Sequence, residues 1–210
     1  MHRSLQVVTV VSVAVLAWLT VAYRERVAES DARLFLKSVR PELTARYGTI
    51  SRAQAAGYAQ VTPVRWDGTA VYFDRTYRNV DRLHPNFLWY DRRGRLAGID
   101  YQVPIATYPM DPPGRDLFDV SRMRWNIVYA YAHFAYVVHG QTMVAEIEAE
   151  GRPKFAAANT ALAALHKSGF LPADARLLWY SYRPRCWDLA LWLNDNPLGA
   201  SATFNPKVYF

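Results

Sequence analysis

The chain predicts an α+β fold: an antiparallel sheet with packed helices, preceded by one N-terminal transmembrane helix. Three observations carry this. Phe87 to Val103 contains two β-prone runs either side of Asp91-Arg-Arg-Gly94, the pattern of a hairpin. Helical apolar spacing recurs at Ala32, Phe35, Leu36, Val39 and again at Phe155, Ala158, Leu162, Leu165. Leu5 to Tyr23 is a near-continuous apolar run, and about 19 residues at 1.5 Å each approach the thickness of a bilayer core.

The N-terminal run reads as a signal anchor over 1–27, with 28–210 as a single domain. The competing reading is a signal peptide cut near Thr20-Val21-Ala22. Arg24, Arg26, Arg33, Lys37 and Arg40 follow the run, so the positive-inside rule taken alone places the domain in the cytoplasm.

Ala28 to Arg40 is then a helix, and Pro41 is expected to interrupt it. Ser51-Arg-Ala-Gln54 has the form of a capping box, and Gly57 closes the short helix it opens. Tyr58–Val64 and Ala70–Asp74 read as extended. In the hairpin, Phe87 and Trp89 share one face, and Ile99, Tyr101 and Val103 share one face of the second strand. Pro104 to Pro113 is loop.

Met123–Val138 reads as a helix on the stripe Ile127, Tyr131, Phe134, Val138, although its Tyr and Val content also suits a strand. Pro153 opens a helix that Lys167 and Gly169 end. Leu177–Tyr182 and Trp187–Leu193 are strands. The tail, with Asn196-Pro197 and Asn205-Pro206, is ordered coil laid over a core, because each X-Pro step disfavours helix before it.

Composition narrows the function classes. The chain has 210 residues, and its 51% hydrophobic content is that of a globular domain rather than a disordered one. The net charge of +7 is scattered, with no basic run, which argues against a nucleic-acid partner. One cysteine, Cys186, excludes an internal disulfide and any Cys-rich metal motif. There is no Gly-x-Ser-x-Gly, phosphate loop or dinucleotide fingerprint. Glu146, Glu148 and Glu150 read as a solvated acidic face.

Three blocks occur in a recognisable order: Gly57-Tyr58 with Thr62-Pro63; His84-Pro85-x-x-Leu88-x-Tyr90 through Gly94-x-Leu96-x-Gly98-x-Asp100-Tyr101-x-Val103-Pro104; and Asn196-Pro197-x-Gly199 with Phe204-Asn205-Pro206-x-Val208. Together they resemble a family of uncharacterised exported bacterial proteins, over about half the chain. The resemblance implies a location outside the cytoplasm and a fold, but no activity. It also implies departures. The family's two cysteines correspond to Val64 and about Phe210 here, and its two histidines to Tyr72 and about Ala190. Any site this chain carries is then its own.

The candidate site residues follow from side-chain chemistry. Trp89, Tyr101, His84 and Trp192 belong to an aromatic load able to line a pocket for an apolar or aromatic ligand. His133 and His139 are candidate metal ligands, with Asp100 or Cys186 as partners for zinc or copper. They share a face only if their segment is a strand. Any cofactor is left unknown by the sequence. The leading expectation is a membrane-anchored extracytoplasmic domain that binds a protein partner or small ligand without catalysis. The alternative is a metal-dependent or ligand-processing enzyme with its site in the 104–186 segment.

Overall fold

The computed structural model describes residues 2–74, 81–114, 118 and 123–209, with side chains from residue 16 onward except at 158, 159 and 209. Its first element is one long helix, α1 (His2–Tyr47). A short helix α2 (Ile50–Ala55) leads into strands β1 (Tyr58–Gln60), β2 (Ala70–Asp74), β3 (Phe87–Tyr90), β4 (Leu96–Pro104), β5 (Asn126–Val128), β6 (Tyr131–Val138) and β7 (Gln141–Glu148). A 3-10 turn at Pro153–Phe155 precedes α3 (Ala158–Lys167). Strands β8 (Arg176–Arg183) and β9 (Cys186–Trp192) and a last turn of helix, α4 (Pro206–Tyr209), complete the chain.

The strands form two antiparallel sheets, one of six strands in the order β1-β2-β3-β4-β9-β5 and one of three in the order β7-β6-β8. The alternation of side chains in β2, β3, β4 and β9 gives the larger sheet two different faces. Tyr72, Leu88, Tyr90, Ile99, Tyr101, Leu189 and Leu191 point to one side, where they bury Ala32, Phe35, Leu36, Val39, Leu43 and Tyr47 of α1. Each large apolar side chain in this layer contributes roughly 1.5–3 kcal/mol by leaving water. The opposite face carries Val71, Phe73, Phe87 and Trp89, then Asp100, Gln102 and Asp188. The smaller sheet lies over that face. Its own outer side packs Ala132, Phe134 and Ile147 on Phe155, Ala161, Ala164 and Leu165.

Several expectations change here. The transmembrane helix does not stand: among the described residues no helix is long and apolar enough to cross a membrane. Leu5–Tyr23 is the first half of α1, which runs on without a break past residue 27 into the domain core. The charges at Arg24, Glu25, Arg26 and Glu29 follow immediately, so the described part of the helix holds no long apolar window. The side chains of residues 5–15 lie outside the described residues, as does Phe210. Without the anchor, the structure lends no support to placement in a periplasm.

Pro41 does not break α1. It sits on the exposed side, where water can take the carbonyl its missing N–H leaves free, while Leu43 and Tyr47 keep the buried face going. The cap of α2 is Thr49 rather than Ser51, with the Thr49 hydroxyl accepting from the Arg52 amide. Met123–Val138 is not helical but forms β5 and β6, because alternate burial of Ala132 and Phe134 on one side and His133 and Ala135 on the other satisfies two packing layers at once. The hairpin β3–β4 and strand β9 lie in one sheet, as expected.

Two packing details yield testable consequences. Gly98 lies beneath the Trp89 indole: a Cβ there would fall 2.4 Å from Trp89 Cε3 and 3.1 Å from the Leu191 carbonyl. Gly98→Ala should therefore cost about 1–3 kcal/mol in urea unfolding and shift the tryptophan emission. A loss under about 0.5 kcal/mol would mean that the ring moves aside freely. The Glu29 carboxylate accepts the Ala200 amide at 2.9 Å from both oxygens, tying the tail to α1. Removing it in Glu29→Ala leaves a partly buried donor without its acceptor, so hydrogen exchange at Ala200 should quicken about tenfold. Unchanged exchange there would show that the tail is held by Asn196 and Trp192 alone.

Candidate functional site

The space between the two sheets is a cavity of about 390 Å³. Its floor is the polar face of the larger sheet. Asp100 and Gln102 alternate on β4 with Ile99 and Tyr101, and β9 places Asp188 opposite Gln102. The smaller sheet supplies the roof with His133 from β6, Arg183 from β8 and Glu146 from β7, His133 and Glu146 being register partners. Phe87, Trp89 and Trp192 form an aromatic wall, and residues 201–203 of the tail close one rim. A second, wider groove of about 1160 Å³ runs between α1 and the tail, but it is lined by exposed helix surface.

The floor is a connected polar network. The Gln102 amide donates to Asp188 Oδ1 at 2.9 Å and to Asp100 Oδ2 at 3.3 Å. Its oxygen accepts from Arg183 Nη2 at 2.7 Å. The Gln102 backbone amide is held by the Asn86 side chain, which fixes the strand position. The Arg183 guanidinium lies over Phe73 and Phe87, at 4.8 and 4.7 Å from the ring centroids.

Asp100, Asp188 and Arg183 are each more than nine-tenths buried. One cation cannot neutralise two buried carboxylates, so one carboxyl must keep its proton. Burial, reinforced by the charge of Asp188, pushes Asp100 well above the usual carboxylate range. Burial also raises Asp188, against hydrogen bonds from Asp100 and Gln102 that favour its ionised form. Asp100 and Asp188 therefore share a proton as a hydrogen-bonded carboxyl pair.

His133 is 4% exposed and stacks near Phe73, with ring centroids 6.3 Å apart. Burial, then the nearby Arg183 charge, lowers its pKa to about 3, so it is neutral at ordinary pH. Its Nδ1 is 3.3 Å from Glu146 Oε2 but without the alignment of a hydrogen bond. Burial raises Glu146, against the pull of Arg65. Glu146 lines the cavity while its side chain remains 41% exposed, so the solvated-face reading holds for it in part.

The sequence candidates divide. Trp89 and Trp192 meet on the cavity wall, edge to face at 5.0 Å. Tyr101 sits on the other face of the sheet, packed on Phe35 and Phe118, and donates to the Arg82 carbonyl. His84 lies at the sheet edge, with Nε2 2.8 Å from Asp74 Oδ2, stacked on Tyr58. Neither Tyr101 nor His84 lines the cavity.

His133 and His139 are not brought together. His139 is beyond the end of β6, in a two-residue turn with Gly140 whose φ angles are 49° and 76°. Six residues of extended chain put it about 20 Å from His133. There it is exposed, 3.1 Å from Asp174. Among the described residues no group of three or more His, Cys, Asp or Glu side chains could hold a metal ion. Cys186 is buried and free, donating to the Pro184 carbonyl, and burial raises its thiol.

The residues that define the site are Asp100, Gln102, Arg183 and Asp188. Two of them interrupt otherwise apolar strands at alternate positions, and that was the available signal: a strand whose second face is polar yet flanked by Trp and Phe.

No family model, no curated protein and no solved structure matches this chain.

Proposed function

We propose that this chain is a small-ligand-binding α+β domain that takes its ligand between the two sheets, over the Asp100–Asp188 pair. The observation that carries the reading is His133 Nδ1, a buried ring nitrogen on the cavity roof with no protein hydrogen-bond partner, facing the Asp100–Asp188 pair on the floor. A polar group left so costs about 1–3 kcal/mol, and a ligand that hydrogen-bonds to it recovers that cost. The aromatic wall adds apolar contact area, and a cavity of about 390 Å³ is of the size small ligands occupy.

The test is a fragment library titrated against the full chain and followed by amide resonances. Saturable shifts are expected at Asp100, Gln102, His133 and Asp188, and they should vanish in Ala190→Phe, which fills the cavity from its floor. Shifts only at other amides, or shifts that survive the filled cavity, would refute the reading.

A second reading, chemistry on the bound ligand, is favoured by the shared proton alone. Two buried carboxyls that share one proton are an arrangement used for acid and base roles. It predicts that Asp188→Asn abolishes turnover while changing affinity only a few-fold.

A further inference from the structure

Resting on the ligand-binding reading, we infer that the inter-sheet cavity selects an uncharged, polyhydroxylated ring compound of about monosaccharide size. Three features of the lining argue for it.

The first is charge. Arg183 faces the Asp100–Asp188 pair, which carries a single negative charge, and Arg65 faces Glu146. Asp67, also on the lining, is occupied by the amide and hydroxyl of Thr69. A cationic ligand would meet two arginines, and an anionic ligand would meet Asp188 and Glu146. Arg183 and Asp188 are the buried members of this set, and placing either kind of ion beside the like charge of that pair costs more than the opposite charge returns.

The second is the alternation of hydrogen-bonding character. His133 Nδ1 is buried on the lining without a hydrogen-bond partner, facing the carboxyl oxygens of the Asp100–Asp188 pair. Neutral His133 offers one donor and one acceptor nitrogen, and the carboxyl pair keeps acceptor lone pairs beyond its shared proton. Groups that both give and accept are matched by hydroxyls, each of which does both. An amine satisfies only acceptors, and a carboxylate or phosphate ion mainly donors.

The third is shape. Phe87, Trp89 and Trp192 form one continuous apolar wall against this polar floor. A compound with hydroxyls at its edge and C–H groups on its ring face fits both surfaces, whereas a purely apolar ligand would leave the floor unsatisfied.

The experiment titrates the full chain separately with glucose, inositol, putrescine and inorganic phosphate, reading the Asp100, Gln102, His133 and Asp188 amides. Glucose or inositol should give saturable shifts that Ala190→Phe removes. Their dissociation constant should change less than twofold when salt is raised tenfold, since no net charge is paired. If putrescine or phosphate shifts these amides and the neutral compounds do not, the ligand class is wrong while the cavity reading stands. If only members of the fragment library shift them, the class is likewise wrong. If nothing shifts them, both readings fall.

Discussion

Arg183→Leu should destabilise the protein by about 3–5 kcal/mol at neutral pH, as measured by urea unfolding. The guanidinium is the cation that lets Asp188 remain ionised beside Asp100. Without it the folded chain has two options. It can keep a buried carboxylate with no counter-charge, or protonate Asp188 as well. At pH 7 the second costs about 1.4 kcal/mol for each unit between the solution pH and an ordinary carboxyl pKa, or roughly 4 kcal/mol. That sets the size of the effect.

It also sets the sign of its pH dependence. With both carboxyls neutral, the folded state holds two protons that the unfolded chain releases above about pH 4, one more than wild type, so the variant's stability should fall more steeply than wild type as pH rises, by up to about 1.4 kcal/mol per unit more. Arg183→Leu combined with Asp188→Asn should recover all but about 1–2 kcal/mol of the loss, because no ionisable mismatch remains. If the double variant is as unstable as the single one, Arg183 acts through its packing on Phe73 and Phe87 and the charge account is wrong.

His133 should make the protein acid-sensitive in the opposite sense. Its pKa is held near 3 in the fold against an ordinary value near 6.5. Between those values the unfolded chain takes up a proton that the folded chain refuses. Stability is thus fully present above about pH 6.5 and is lost as pH falls towards 3, by up to about 1.4 kcal/mol per unit. The groups facing His133 are Arg183 on β8, Glu146 on β7, Tyr131 on its own strand, and Phe73 and Phe87 beneath it.

Asp100 and Asp188, with raised values, work against His133 in the same range, since the folded state keeps their protons and gains stability as pH falls. The wild-type profile is a difference of these contributions. His133→Phe isolates them: its stability should rise on acidification from pH 6 to 4, and its slope should differ from wild type by about 1.4 kcal/mol per unit. Parallel curves would show that the imidazole titrates normally and is not sealed by the two sheets.

The sequence was most readable where one packing partner decides the pattern. The α1 stripe at Ala32, Phe35, Leu36 and Val39 faces one sheet, and the hairpin at 87–103 is fixed by its own turn, so period and turn chemistry sufficed. It was least readable where two layers compete for one segment. Within 123–138, β5 became the edge of the larger sheet, while β6 sits between that sheet and α3, and its burial on both sides erased the simple alternation that marks a strand. The same double burial concealed the site. Asp100 and Asp188 are far apart along the chain, and only the register of β4 with β9 sets them on one face. Trp89 and Trp192 were visible as aromatic candidates because bulk can be read locally, whereas His84 and Tyr101 looked equivalent to them until the sheet assigned each residue a side.

Strand β9 occupies an interior position in the larger sheet, between β4 and β5, although most of the chain precedes it. During synthesis the first four strands and β5 must therefore wait, with a gap between them, for a segment that emerges nearly 90 residues after its β4 partner. Until β9 arrives, β4 is an unpaired edge and Asp100 has no Asp188 with which to share its proton. Such late, long-range closure folds slowly and leaves an adhesive intermediate. A ribosome stalled before residue 186 would display the cavity floor half-built, with β4 lacking its β9 neighbour.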